Sequence, residues 1–558
     1  MFTPKLFTVL SEGYGLASLR ADLIAGLTVA IVALPLSMAI AIASGVPPDR
    51  GLYAAIIGGF FVSAFGGSRF QIGGPAGAFI VLVAATVHTQ GVDGLILATM
   101  ISGVFLLIIG FLRLGTFIKY VPFPVTVGFT AGIAIIIFAS QIKDLFGLTL
   151  DGPEPGPLAP KLEVLAGAAD TVSGAAVAIA LTAMVTILAI RKWKPSLPGM
   201  LIAVIVTSLA AALLGLPVET IGTRFGGIAS SLPAPSLPAI TLDKVQAVLP
   251  HAISFTLLGA IESLLSAVVA DGMTGRRHRS NCELVAQGIA NIASPLFGGL
   301  CVTGTIARTA TNVRSGARGP LAGMFHSMFV LVFILAAAPL ASFIPLAALA
   351  GILAIVAWDM AEKHAFAILL RASWGDAVVL LSTFGLTIFR GLTEGIVVGF
   401  TLGVLLFIHR LAEASRIESG PAFAPEDQAD RHGDHEPAYD ASLATDADVM
   451  VYRIKGAFFF GAASTVGAVL DRIGERQRAF VIDFEAVPLV DSTAAHTIAS
   501  FVAKARRRNI AVYLTGTLPP VRDTLNDHGI TSPEVQFVPT IAEAVTAARA
   551  AAENSGNP

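Results

Sequence analysis

Apolar windows long enough to cross a bilayer recur along this chain at about 22–43, 93–112, 121–142, 172–190, 198–214, 250–270, 321–338, 375–389 and 393–409. Between them lie shorter, glycine-rich apolar stretches at 51–65, 72–88, 283–297, 303–313 and 343–358. These are too brief, or too interrupted by Gly and Pro, to be comfortable spans on their own. Counting both kinds predicts fourteen membrane segments within residues 21–410, after a short N-terminal segment, 1–20. Beyond 410 the pattern changes. Residues 411–447 read as a linker, with Pro421, Pro425, Pro437 and a mixed-charge run at 426–436. Residues 448–550 read as an α/β unit with strands at 448–454, 457–460, 479–484 and 510–515. Its helices are expected near 462–472, from the Asp491-Ser492-Thr493 cap to Arg507, and at 519–526.

Composition narrows the class. Of 558 residues, 54% are hydrophobic and only 13% charged, where a soluble domain carries about a quarter charged. A net charge of −2 argues against nucleic acid as the partner. Cys282 and Cys301 cannot build a disulfide framework. Basic residues then test the segment count. With the N-terminus inside, loops after even-numbered segments hold Arg113 and Lys119, then Arg191, Lys192 and Lys194, then Arg276, Arg277 and Arg279, then Lys363 and Arg371, then Arg410. Odd loops hold fewer: Arg50, then Lys143 and Lys161, then Arg224 and Lys244, then Arg390. Both termini, and the α/β tail, are therefore expected in the cytoplasm. The first apolar segment leads into further spans rather than to an Ala-x-Ala exit, so it is expected to stay in the membrane.

An internal repeat points to a site. Residues 52–78 match 284–310 at an offset of 232, through Leu52/Leu284, Ala54/Ala286, Ile57/Ile289, the Phe65-Gly66-Gly67 and Phe297-Gly298-Gly299 triplets, and Ala78/Ala310. If each copy holds seven spans, the odd number sets the two copies in opposite orientations, the inverted-repeat plan of secondary transporters. Irregular backbone at membrane depth is tolerated only under protein cover or beside a wet cavity. The stretches 71–77 and 302–307 each read as an extended piece entering a half-helix, and two such N-termini near the midplane suit an anion. The alternative is that their glycines only let helices pack closely.

Charges inside spans are the second pointer. Glu262 lies mid-span, where ionisation is costly, so it is a candidate to take and release a proton; the alternative is a structural hydrogen bond to a backbone amide or Ser266. Arg308 either balances Glu262, attracts an anion, or snorkels from a half-helix. The Gly395, Gly399, Gly403 stripe reads as a helix-packing face, and His432 with His435 as part of a solvated linker rather than a metal site. No phosphate loop, metal-ligand cluster or nucleophile elbow occurs, so neither an enzyme nor a cofactor is expected.

Over nearly its full length the chain resembles bacterial members of the SulP family, the SLC26-type anion transporters. The resemblance rests on residues 22–28 with Ala33-Leu34-Pro35, Gly51-Leu52-Tyr53, Gly66-Gly67-Ser68-Arg69, Gly73-Gly74-Pro75 and the Gly304 segment. The tail is similar to a STAS domain through residues 481–484 and Val490-Asp491-Ser492-Thr493. The resemblance implies an α-helical polytopic membrane protein of two inverted seven-span repeats, forming core and gate domains, in a homodimer in the bacterial inner membrane. It puts the substrate among spans 1, 3, 8 and 10. There it implies contacts from Pro75, Ala76, Gly77, Gly304, Thr305, Ile306 and Ser266, with Glu262 in proton coupling. Sodium-coupled bicarbonate members resemble this chain but carry Asp at the Glu262 position and a hydroxyl near Ile306, which argues against sodium here. Ser492 matches the phosphorylated serine of regulatory STAS domains, and the tail is expected to meet a cytosolic protein partner. The first span most resembles dicarboxylate-type members. The expectation is thus proton-coupled symport of a C4-dicarboxylate such as fumarate or succinate by alternating access. Sulfate or bicarbonate transport, an exchanger or channel, and a membrane-tethered regulator are the alternatives.

Overall fold

The structure, a computed structural model, describes residues 2–116, 121–152, 154–155, 157–194, 197–414, 416–420, 449–459, 463 and 478–555. It divides into two compact units, Met1–Gly403 and Val404–Pro558.

In the first unit the predicted segments follow in order. A short helix α1 (Lys5–Ser11) precedes α2 (Leu16–Ala43), which stays helical through Pro35. The second segment is α3 (Pro48–Tyr53) and α4 (Gly59–Phe65), joined by a π-helical turn at Ala54–Gly58. The third begins with β1 (Gly73–Gly74), enters a 3-10 turn at Gly77–Phe79 and continues into α5 (Ile80–Phe111). Helix α5 also holds the fourth segment; the two are parted at Gly91, whose φ of 67° lies outside helical space. Next come α6 (Phe123–Phe146), a loop helix α7 (Leu158–Gly167), α8 (Gly174–Trp193), α9 (Gly199–Leu213) and a short α10 (Ile221–Phe225). The second half runs α11 (Leu242–Thr274), α12 (Ser280–Leu296), β2 (Thr303–Gly304), α13 (Ile306–Arg314), α14 (Leu321–Ala341) and α15 (Leu346–Met360). A loop helix α16 (Lys363–Ala372), α17 (Trp374–Phe389) and α18 (Leu392–Ala414) follow, the boundary between the two units falling within α18 after Gly403. Seven of the described helices are long and apolar enough to span a membrane alone; the remaining segments are the shorter or broken pieces. Local chemistry sets many of the ends. Pro345 caps α15, and Gly147 and Gly275 close α6 and α11 in the left-handed conformation.

These helices form two bundles. Helices α2, α4, α5, α11, α12, α13 and α14 pack mainly on one another, as do α6, α8, α9, α15 and α17. Helix α18 joins the second: Gly395 and Gly399 lie against Thr387 and Thr383 of α17, and Gly403 against Pro122. The glycine stripe is a packing face, as its spacing predicted.

The second unit holds one five-stranded sheet in the order β3 (Arg416–Gly420), β4 (Val449–Lys455), β5 (Ala479–Asp483), β6 (Ala511–Thr515), β7 (Gln536–Val538). Strand β3 is antiparallel to β4 and the other pairs are parallel. The region read as linker therefore supplies an edge strand. The strand expected at 457–460 is reduced, over its described residues, to a single bridge between Phe458 and Val490, because Gly456 turns the chain away with φ 86°. The helix expected at 462–472, His432 and His435 fall almost wholly outside the described residues. Helices at Ser492–Arg507 and Pro519–Asp527 lie where predicted, and a further one at Ile541–Ser555 was not foreseen.

Candidate functional site

At the centre of the first bundle the two broken segments meet. Strands β1 and β2 pair antiparallel, Gly73 facing Gly304 and Gly74 facing Thr303. This pairing is its own mirror under a twofold axis, which equates Gly74 with Gly304. The second copy therefore needs two fewer residues between its Phe-Gly-Gly triplet and the ladder, so the sequence match of Ala78 with Ala310 is not a structural equivalence. Asn291 fixes the second strand's approach: its side chain accepts from Val302 N–H at 2.8 Å and donates to Val302 C=O at 2.7 Å.

Beyond the ladder, extended Ala76 leads into the Gly77–Phe79 turn and extended Thr305 into α13, neither with a side-chain cap. Helix geometry leaves the first N–H groups of α13 without an intrahelical partner, and among the described residues nothing else takes them. Gly77, Ile306 and Glu262 are half-buried and Ala307 is exposed, whereas Pro75, Ala76, Gly304 and Thr305 are buried. Glu262 makes no hydrogen bond among the described residues. The hydroxyl named as its structural alternative is engaged elsewhere: fully buried Ser266 donates to Thr309 Oγ1 at 3.0 Å, and that oxygen accepts from Ile72 N–H at 3.1 Å. Ser266 is therefore tied through Thr309 to the backbone that leads into β1.

Arg308 does not snorkel. It is 1% exposed; Nη2 donates to Ser37 Oγ at 3.0 Å and to Pro75 C=O at 3.2 Å, while Nε and Nη1 have no partner among the described residues. No ion pair joins it to Glu262 among the described residues. Its Nη1 lies against Gly74, where any Cβ would overlap it. Sequence reasoning missed Ser37, Gln71, Thr309 and His326. Gln71 donates to Ser263 Oγ at 2.9 Å and packs on Gly304; His326 is fully buried, and neither ring nitrogen has a partner among the described residues. The signal available was a polar side chain inside an apolar window. A cavity of about 420 Å³ lies elsewhere, among Lys143, Asp144, Glu219 and Arg224, and contains none of the predicted residues. In the second unit, exposed Ser492 is the first residue of its helix, capped by Asp491 through Ala494 N–H at 2.8 Å.

The family model described as "Sulfate permease family" matches residues 19–383, and the STAS domain model matches 440–544. The chain belongs to the sulfate permease family. As a member of this SulP/SLC26 family it is a multi-pass anion transporter, not an enzyme. It is 38% identical to "Putative sulfate transporter YvdB" of Bacillus subtilis, over 93% of this chain and 95% of that one. It is 31% identical to "Bicarbonate transporter BicA" of Synechocystis, over 89% and 88%. The solved transmembrane domain of a cyanobacterial BicA, 32% identical, covers 70% of this chain and 98% of its own with a TM-score of 0.61. SLC26A9 shares the fold at 16% identity, with a TM-score of 0.84 over 99% of this chain and 93% of its own.

Proposed function

We propose that the chain carries a small dianion across the bacterial inner membrane with protons, both termini lying in the cytosol. The observation behind this is Arg308: a buried guanidinium with two N–H-bearing atoms unpartnered, beside the uncapped start of α13. A charge buried this way is costly until an anion arrives, so the site favours a negative guest over none. In this reading the anion docks at Gly77, Ile306 and Ala307, polarised from behind by Arg308. Glu262, half-buried and without a hydrogen-bond partner among the described residues, takes the proton that travels with it. The first bundle, the core, then moves against the second, the gate, to alternate access.

Sulfate is the substrate we favour, because the 38% identical relative carries a sulfate name over nearly the whole of both chains. A C4-dicarboxylate is the second reading, supported by the first span. Labelled sulfate uptake into proteoliposomes, with and without an inward proton gradient and with fumarate and bicarbonate as competitors, separates the readings. Gradient-stimulated uptake that Glu262→Gln abolishes, with sulfate exchange retained, is the expected result. Undiminished gradient-driven uptake in that variant would remove Glu262 from the mechanism.

A further inference from the structure

The transport reading leaves one contact between the bundles unused. Ser254, on α11 of the core, and Thr393, at the start of α18 of the gate, place their hydroxyl oxygens 2.6 Å apart. Among the described residues no other hydrogen bond joins a core-helix side chain to a gate-helix side chain. Leu82 of α5, Phe129 of α6, Leu257 and Leu258 of α11 and Ile396 of α18 close around the pair; Phe129, Leu258 and Ile396 are 4%, 1% and 8% exposed. Ser254, Leu258 and Glu262 follow one another at four-residue steps on one face of α11, so the seam lies two turns from the proposed proton carrier. Helices α11 and α18 both start at the face predicted to lie outside the cell, which sets the seam between that side and the anion site.

We propose that Ser254 and Thr393 are positioning residues of the transport cycle: their hydrogen bond latches core to gate over an apolar seal, and it must break for the site to open outward. A seal of side chains alone is non-directional and permits sliding, whereas a hydroxyl pair fixes one register and resists the relative motion that alternating access needs. Its loss moves the equilibrium between closed and open seam by about fivefold, the value of one ordinary hydrogen bond. The proposal rests on alternating access, so the test reads the seam and the flux separately.

The reporter is Leu82→Cys, in the seam, labelled in proteoliposomes with a water-soluble thiol reagent. Adding Ser254→Ala or Thr393→Val is expected to speed labelling about fivefold, and Thr393→Ser, which keeps the hydroxyl, to restore the slow rate. In a separate protein, Ser254→Cys with Thr393→Cys is expected to form a disulfide on mild oxidation, followed by intact mass, that stops sulfate uptake until reduced. Labelling indifferent to both hydroxyl deletions, failure of the disulfide to form, or full uptake by the cross-linked protein each overturns the latch. Absence of any anion flux in the unmodified protein overturns the transport reading instead, while the labelling rates still decide whether the pair holds the seam shut.

Discussion

Arg308 owes its position to three small features around it: the Ser37 hydroxyl, the Pro75 carbonyl and the missing side chain of Gly74. Gly74 is therefore constrained by space rather than by backbone conformation. Gly74→Ala is expected to push the guanidinium off its seat and raise the apparent KM for the anion by roughly tenfold or more, the loss of one charge-assisted hydrogen bond. Initial-rate uptake over a range of anion concentrations checks this. Ser37→Ala removes one partner without touching the backbone, and is expected to give a smaller rise in KM, about threefold to tenfold. At this scale the sequence was informative about which residues carry charge and silent about their partners. Glu262 and Arg308 stand out because ionisable groups are rare in apolar windows. Ser37 and Thr309 do not, since a hydroxyl in a helix can satisfy itself on the preceding turn.

The crossing of β1 and β2 is an element of only two residues from each repeat, too short to hold itself together. It is held by what flanks it. Asn291 on α12 takes both backbone groups of Val302, and Asn291→Ala leaves that buried N–H and C=O bare. The expected cost is about 2–4 kcal/mol of stability, read as a lower unfolding temperature in detergent, with Asn291→Asp partly rescuing the N–H contact. Element existence was legible: fourteen apolar stretches, the glycine breaks and the STAS-like alternation all follow from hydropathy and turn residues. Three things were not. The strand Arg416–Gly420 sits in a charged, proline-rich region and gains its identity only by pairing with β4, a partner over thirty residues away. The loop helices Leu158–Gly167 and Lys363–Ala372 are amphipathic rather than apolar, so a search for spans passes over them. The repeat was visible, but its register was not, because gap lengths in glycine-rich loops leave no hydrophobic period to count.

For the whole molecule, the tail beyond the last membrane helix has its own core, in which Phe480, Ile482 and Leu514 are fully buried. Asp483 is 1% exposed; it accepts from Arg453 at 2.8 Å and from Thr515 at 3.0 Å. Asp483→Ala strands that network and is expected to cost the tail about 3 kcal/mol. The expected outcome is a lower melting transition for the tail, with proton-driven anion uptake by the membrane body retained; calorimetry and proteoliposome flux on the same preparation read both. If uptake is lost in step with the tail's melting, the tail is part of the transport machinery rather than an attachment to it. The self-symmetric crossing at Gly73–Gly74 and Thr303–Gly304 has a thermodynamic corollary as well. A site built where two inverted repeats cross can be opened to either surface in turn, and microscopic reversibility then leaves the direction of net flow to the gradients. Such a carrier has no built-in forward gear. Reversing the proton and anion gradients should drive efflux through the same residues, and the direction of flow in the cell becomes a property of the membrane's energetics rather than of the chain.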